Sequence, residues 1–500
     1  MPTRRRFVRN LGVLASGAAF APEHLLADPV RVPRLRTPRT PVRIRGRVQS
    51  VGRGIGGVAL TDGFDVVTTD ADGVYELISR DDAGFVSMSV PQGFRVPRSH
   101  QGTADFYRAV LPGRSGEMRA DFSLEPLYDP DDRHATLLLP DIQTEFAFEM
   151  ERFHRESVPD LVRSVADYGD VPVVGISCGD IMFDDLSLYP DYERGIVQTG
   201  IPFFQCVGNH DLDFEGGSDE ASTTTFSGRY GPRYYSFDRG QVHYIVLDDV
   251  LWHGAGYIGY LGYEQLHWLE ADLARVEPGS TVLVATHIPV RGSRFERDGD
   301  RSPGASVSVN NREVLYRLLE PFEAHVVAGH THENDHIWTD GIHEHVSGTV
   351  CGAWWSGDIC ADGTPNGYSV YEAHGSELRW RYKATGSPAD HQMRLYPRGG
   401  DPLAPHEIVA NVWDADEGWV VTWFEGGDRR GTMVRRTGID PRSRLEHGGS
   451  YLPEHRSWVD PYLTRHLYYA PVNEDHGPIT VEAVDRFGRR YAEQLPGRGP

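Results

Sequence analysis

Apolar residues are spaced in three different ways along the chain. Between residues 41 and 125 they form short alternating runs broken by Gly and Asp, at 42–48, 57–60, 65–68 and 74–77. Period-two alternation marks strands covered on one face. Asp72-Gly73 reads as a hairpin turn between two of them. The run 69–75 resembles a calcium loop, but it lacks the third carboxylate and closing Glu of an EF-hand, so a turn is the reading. From about residue 134 the apolar runs lengthen and alternate with helical spacing. Strands are predicted at 137–139, 171–177, 202–207, 241–247, 281–285 and 325–328. Helices are predicted at 150–168, 264–276 and 311–322, the second with Leu266, Leu269 and Leu273 on one face. This pattern predicts a layered α/β core. After about residue 375 short β-type runs return, at 379–383, 407–410, 419–423 and 479–483.

The N-terminus has a different character. Residues 3–9 read Thr-Arg-Arg-Arg-Phe-Val-Arg and precede a small-residue apolar stretch at 11–21. This resembles a twin-arginine export signal, which implies a periplasmic or extracellular protein. Ala21 and Ala27 each end a candidate cleavage site. The expected organisation is a signal at 1–27, an Arg/Pro-rich linker at 28–40, an N-terminal β-sandwich at 41–125, a catalytic domain at 134–350 and a C-terminal β-domain at 351–500.

Composition adds limits. Hydrophobic residues make up 39% and aromatic residues 11% of the 500, enough for packed cores. No stretch reaches the ~18 apolar residues of a spanning helix. The formal net charge is −22, and Lys383 is the only lysine among 50 basic residues. An acidic surface disfavours nucleic-acid binding by charge. Cys178 and Cys206, each closing an apolar run, read as buried thiols. Cys351 and Cys360 leave a disulfide open.

The chemistry lies in five motifs, each following an apolar run. They are Asp141-Ile-Gln143, Gly179-Asp180-Ile-Met-Phe-Asp184, Gly208-Asn209-His210-Asp211, His287-Ile-Pro289 and Gly329-His330-Thr-His332. Open α/β sheets gather ligands at the carboxyl ends of their strands, so the five should converge. Oxygen donors mixed with imidazoles suit a pair of divalent cations, and such a pair needs a bridging carboxylate. Asp180, after a glycine, is the natural bridge.

With these motifs on the page, residues 134–350 resemble the calcineurin-like metallophosphoesterase family, and 41–125 resembles a transthyretin-like β-sandwich. The Gly352–Gly357 and Pro365–Tyr368 stretches are similar to a bacterial branch with β-domains on both sides. The resemblance implies hydrolysis of a phosphomonoester or phosphodiester by a hydroxide bridging two metals. One metal would be held by Asp141, Gln143, Asp180 and His332, the second by Asp180, Asn209, His287 and His330. His210 would protonate the leaving oxygen, oriented by Asp211. Gln143 stands where most members have His, which favours manganese and leaves zinc, iron or magnesium open. Phe183 stands where purple acid phosphatases need Tyr, which excludes an iron-tyrosinate centre. Trp354 and Trp355 are candidates for a substrate-stacking wall or for domain packing, and Asp184, Asp185 and Arg233 are further pocket candidates. An envelope glycopolymer, a lipid head group or a nucleotide-type ester would be the substrate. Two other classes stay open: a catalytically idle phosphate- or glycan-binding protein on this fold, and a metal-dependent hydrolase of amide or glycosidic bonds. The intact His210 speaks against the first, and the lack of His-Glu-x-x-His against the second.

Overall fold

The computed structural model describes residues 41–497 apart from 112, 114, 115 and 450. The predicted export signal and linker lie outside the described residues.

Two mixed sheets face each other at the centre. One runs, in spatial order, Phe203–Cys206, Val173–Cys178, Arg133–Leu139, Gly367–His374 and Glu377–Ala384. Its first three strands are parallel. The other runs Tyr235–Arg239, Val242–Val246, Thr281–Ala285, Glu323–Ala328, Ile342–Val346 and Asp335–Thr339, with its middle four parallel. Alternate residues of each strand serve different cores. Leu138, Ile176, Phe204, Leu283 and Val327 fill the space between the sheets. Leu137, Leu139 and Phe203 face outward onto Met150, Phe153, Leu161 and Ile196 of the covering helices. Val282, Val284 and Val326 do the same with Trp268, Leu269, Leu315 and Leu319. Burial on both faces is why these strands read as unbroken apolar runs. The predicted helix at 150–168 is Ala147–Arg152 and Val158–Ala166 joined by a π turn at Phe153–Ser157. Pro159 lacks the N–H that a continuous ladder requires there.

Two expectations need correction. The strands at 367–384 were assigned to the C-terminal β-domain from residue 351 onward, but they complete the first catalytic sheet. Periodicity does not say which sheet a strand joins. The Asp72-Gly73 turn is not a hairpin. Val66–Thr68 pairs with Ala59–Thr61, whereas Val74–Arg80 pairs with Pro41–Ser50, so the turn carries the chain from one sheet to another.

The flanking β-regions cover what the central sandwich leaves open. Ala104 N donates to Phe203 O and Phe203 N to Gly102 O, both at 2.9 Å, so the N-terminal region occupies the edge of one sheet. Val90 forms a bridge with Phe237 at the edge of the other. Covered edges cannot recruit foreign strands. At the C-terminal end two four-stranded sheets enclose their own core around Ile408, Val421, Val481 and Ala483. Lys383 is buried, with its ammonium 2.7 Å from Asp160 of the 158–166 helix.

The C-terminal region is fastened to the catalytic core by Arg456. Its guanidinium reaches Glu149 at 2.8 Å, with side-chain exposures of 2% and 0%. It also reaches Glu145 at 3.0 Å and donates to Trp354 O. Removing one member of a buried pair leaves an uncompensated charge. Arg456→Met is therefore expected to lower the unfolding free energy by about 3–5 kcal/mol. Glu145→Gln, at the solvent-reached end, should cost well under half of that. Urea midpoints of both variants check this, and equal losses would show that the buried Glu149 contact is not the fastening.

Candidate metal centre

Six strand ends meet at one edge of the sandwich. From the first sheet come Asp141 and Gln143, then Asp180, then Asn209 and His210; from the second come Asp248 and Asp249, His287, and His330 with His332. Parallel strands bring all these carboxyl ends to the same side.

Asp180 lies at the centre, 1% exposed. Its Oδ1 accepts His210 N at 2.7 Å and lies 3.3 Å from His287 Nε2. Its Oδ2 accepts Gln143 Nε2 at 2.8 Å. His287 Nε2 also stands 3.1 Å from Asn209 Oδ1 and 3.2 Å from His330 Nδ1. On the other side His332 Nε2 is 3.4 Å from Asp141 Oδ1.

His287, His330 and His332 each have one ring nitrogen fixed by a main-chain carbonyl and the other aimed inward. His287 Nδ1 meets Cys178 O at 3.0 Å, His330 Nε2 meets Ser306 O at 3.0 Å, and His332 Nδ1 meets Gly352 O. Fixing one nitrogen this way sets the tautomer and orientation of a ligating histidine. Asp141 Oδ1 and His332 Nε2 are fully buried and make no hydrogen bond. Buried donor atoms without partners, facing one another, fit a cation between them. Asp180, His287 and His330 likewise bring their ligand atoms within 4.8 Å of one another. The residues present therefore suit a metal pair.

The backbone is bent to make this possible. Of ten described non-glycine residues with positive φ, eight belong to this site or its rim: Asp141, Gln143, Asp180, Asp184, His330, His332, Trp354 and Trp355. Such conformations cost of order 1–3 kcal/mol each and persist only where surrounding contacts enforce them. Two glycines allow the loops to interlock. A Cβ on Gly208 would stand 2.0 Å from Asp180 N, and one on Gly329 2.2 Å from Asp141 Oδ2.

Burial alone would push the Asp180 carboxyl up, but His287, His210 and His330 carry it well below the usual carboxylate range. Burial would pull His287 down, yet Asp180, with Asp141 and Asp249, raises it to about 10. His330, buried beside His287, falls to about 3.

Several assignments change. The carboxylate on the His210 ring is Asp184, whose Oδ1 is 2.6 Å from Nδ1, and not Asp211. Asp211 is fully buried; it accepts the amides of Ile181, Met182 and Gly208 and the Tyr189 hydroxyl, and so shapes two loops. Its carboxyl is pushed up to about 7 by burial and by Asp180. Trp355 is no stacking wall: it is buried, and its indole donates to Ile142 O at 2.9 Å. Trp354 is bound into the site, stacked on His332 with centroids 3.9 Å apart and edge-on to Trp458. Arg233 is engaged through Nη1 by Asp248 at 2.6 Å and Asp219 at 3.2 Å. Gln143 turns its amide nitrogen to Asp180 and its oxygen toward Cys351 Sγ, 3.7 Å away; a half-turn of the amide presents the oxygen instead. The four cysteines are free and buried. Asp249 was missed: its Oδ1 accepts the amides of His287 and Ile288, both at 3.2 Å. Its position just after the 242–246 strand was the available signal.

Comparison with known proteins agrees with this arrangement. Residues 42–127 match the N-terminal part of the calcineurin-like phosphoesterases, 136–334 the calcineurin-like phosphoesterase domain itself, and 344–491 the C-terminal part. Among curated proteins, the serine/threonine-protein phosphatase CPPED1 of Mus musculus is 29% identical over 141 residues, 28% of this chain and 44% of that protein. Purple acid phosphatase 21 of Arabidopsis thaliana is 27% identical over 144 residues, 26% of this chain and 30% of that protein. The chain thus spans less than half the length of either relative. A dimetal phosphatase from Danio rerio superposes with a TM-score of 0.35 at 15% identity, covering 50% of this chain and 96% of that one. With matches to all three parts of one architecture in chain order, the chain belongs to the calcineurin-like phosphoesterases.

Proposed function

We propose that the protein is an exported phosphoesterase that favours manganese and acts on an ester in the cell envelope or outside the cell. The observation that carries the catalytic part is the convergence on Asp180 of donors from both sheets. In this reading Asp141, Gln143, Asp180 and His332 hold one cation, and Asp180, Asn209, His287 and His330 hold the other. Cations bound there would supply an activated water and the charge that neutralises the phosphoryl oxygens. Manganese is favoured because three carboxamide or carboxylate oxygens and one imidazole make a hard first site. Export rests on Arg4-Arg5 in their twin-arginine setting.

The rest of the chemistry belongs to the chain. His210 Nδ1 is taken by Asp184, so Nε2, 3.9 Å from Asp180 Oδ2, is the nitrogen that meets substrate. The Asp184 carboxylate fixes the ring's orientation, so that Nε2 is the nitrogen that passes a proton to the leaving oxygen. Phe183 lies flat against the ring, centroids 4.2 Å apart, and fixes its plane. Arg456 sits over the other side of Phe183 at 4.8 Å.

Three outcomes are expected. His210→Gln should keep its metals and lose about 10²–10⁴ in turnover on an alkyl phosphoester. An aryl ester, whose leaving group needs little protonation, should lose less, and Asp184→Asn should show the same pattern more weakly. Turnover and metal content of both variants on both esters check this; an equal loss with metal missing would make His210 a ligand rather than an acid.

The metal reading has a pH signature. In the free protein His287 holds its proton up to about pH 10, so cation uptake must displace it. Apparent Mn²⁺ affinity should therefore rise with pH across the neutral range, and chelated enzyme should regain activity only when cation is added. Calorimetry in buffers of different ionisation enthalpy reads the released proton. Affinity that falls as pH rises would contradict it.

Changing Arg4 and Arg5 both to Lys should leave the protein in the cytoplasm. Fractionation of cells checks this, and unchanged export would reject the signal.

A further inference from the structure

A second histidine cluster lies inside the sandwich, away from the reaction site. His325, His343, His345 and His336 stand on three neighbouring strands. His325 is directly opposite His343, and His345 is opposite His336. On Glu323–Ala328 and Ile342–Val346, His325 alternates with Val326, and His343 and His345 with Ile342, both of which pack toward the helices. The imidazoles therefore share the inner face, where a strand would ordinarily present aliphatic groups. Trp380 and Tyr371 of the opposing sheet close over them, with centroids 4.6 and 5.5 Å from the His345 ring. Five residues of nearly extended chain, roughly 16 Å, separate His325 from His330, so this is not a part of the catalytic centre.

The rings are held close by hydrogen bonds, His325 Nδ1 to His345 Nε2 and His336 Nδ1 to His343 Nε2, both at 3.1 Å. Two imidazole nitrogens bound tetrahedrally at about 2.0–2.1 Å to one ion stand about 3.3 Å apart. The same separation, 3.2 Å, recurs between His287 and His330 in the dimetal site. One donor atom from each of His325, His343 and His345 lies within 4.8 Å of the others. His345 has its other ring nitrogen, Nδ1, buried without a hydrogen-bond partner.

We propose that His325, His343 and His345 supply three ligands to a further divalent metal ion, of the zinc type, between the sheets. All-nitrogen donors suit zinc and its neighbours rather than manganese or magnesium. His336 stands beside the site with its Nε2 3.1 Å from Asp414 Oδ1, the carboxylate–imidazole pairing that supports metal ligands. Burial and the nearby Arg486 hold His325 down to about 4, in the neutral form a cation requires. The charge of Arg486 does not prevent occupancy, because Asp416 pairs with it at 2.6 Å. Asp414 and Arg486 both come from the C-terminal region, so the ion would tie two catalytic strands together at the place where that region docks.

The test uses full-length protein, stripped with chelator and reloaded with Zn²⁺. Asp180→Asn/His287→Asn, which dismantles the catalytic centre, should still bind about one Zn²⁺ tightly, with an all-nitrogen shell by X-ray absorption. His343→Gln/His345→Gln should carry one zinc fewer per chain than the parent protein. It should also lose the rise in thermal midpoint that Zn²⁺ gives the Asp180→Asn/His287→Asn protein. Equal zinc content in the parent and the histidine variant would overturn the proposal. If the histidine variant does not fold, the catalytic-site variant decides alone, and no zinc bound there, or zinc with an oxygen-rich shell, overturns it.

Discussion

The buried carboxylate of Asp180 is the constraint around which the molecule is arranged. An anion at 1% exposure is tolerated only if charge or hydrogen bonds compensate it from every side. Gln143, the His210 amide and His287 do so, and they arrive on three different strand ends drawn from both sheets. The loops must approach so closely that Gly208 has no room for a Cβ, and the donors sit in left-handed backbone conformations. Strain of that kind needs a rigid frame behind it. The double sandwich, filled on three levels and covered by helices on both outer faces, is that frame.

The C-terminal region is part of this logic. A continuous stack runs from Glu149 through the Arg456 guanidinium to Phe183 and the ring of His210. Trp458 reaches Trp354, which in turn lies on His332. Two imidazoles of the site thus rest on aromatic surfaces that the C-terminal region holds in place. The N-terminal region touches the other end of the sheets and covers edge strands, a different task that needs no chemistry.

How far the sequence reveals this follows from the physics of each signal. Strands such as 281–285 and 242–246 are buried on both faces, so their apolar runs stand out without any partner being known. The donor residues stand out because each follows such a run directly. Partner choice does not stand out. Strands at 367–384 look the same whichever sheet they join, and Asp72-Gly73 looks the same in a hairpin as in a crossing between sheets. Asp211 adjoins His210 in sequence, but its side chain turns back onto three amides, while Asp184 comes from a loop bent at positive φ to reach the ring. Local spacing carries no information about such directions. Asp249 was obscure for another reason: its contribution is made through two main-chain amides.

The two histidine clusters show how surroundings decide what imidazole can do. At the catalytic edge Asp141, Asp180 and Asp249 surround His287 and hold it protonated, so a cation must compete with a proton and is met by oxygens as well as nitrogens. Inside the sandwich no carboxylate faces His325 or His343 directly among the contacts described, and burial drives those two rings toward the neutral form. The first environment suits hard, exchangeable cations that lie beside water and substrate. The second suits a nitrogen-preferring ion that enters once and remains.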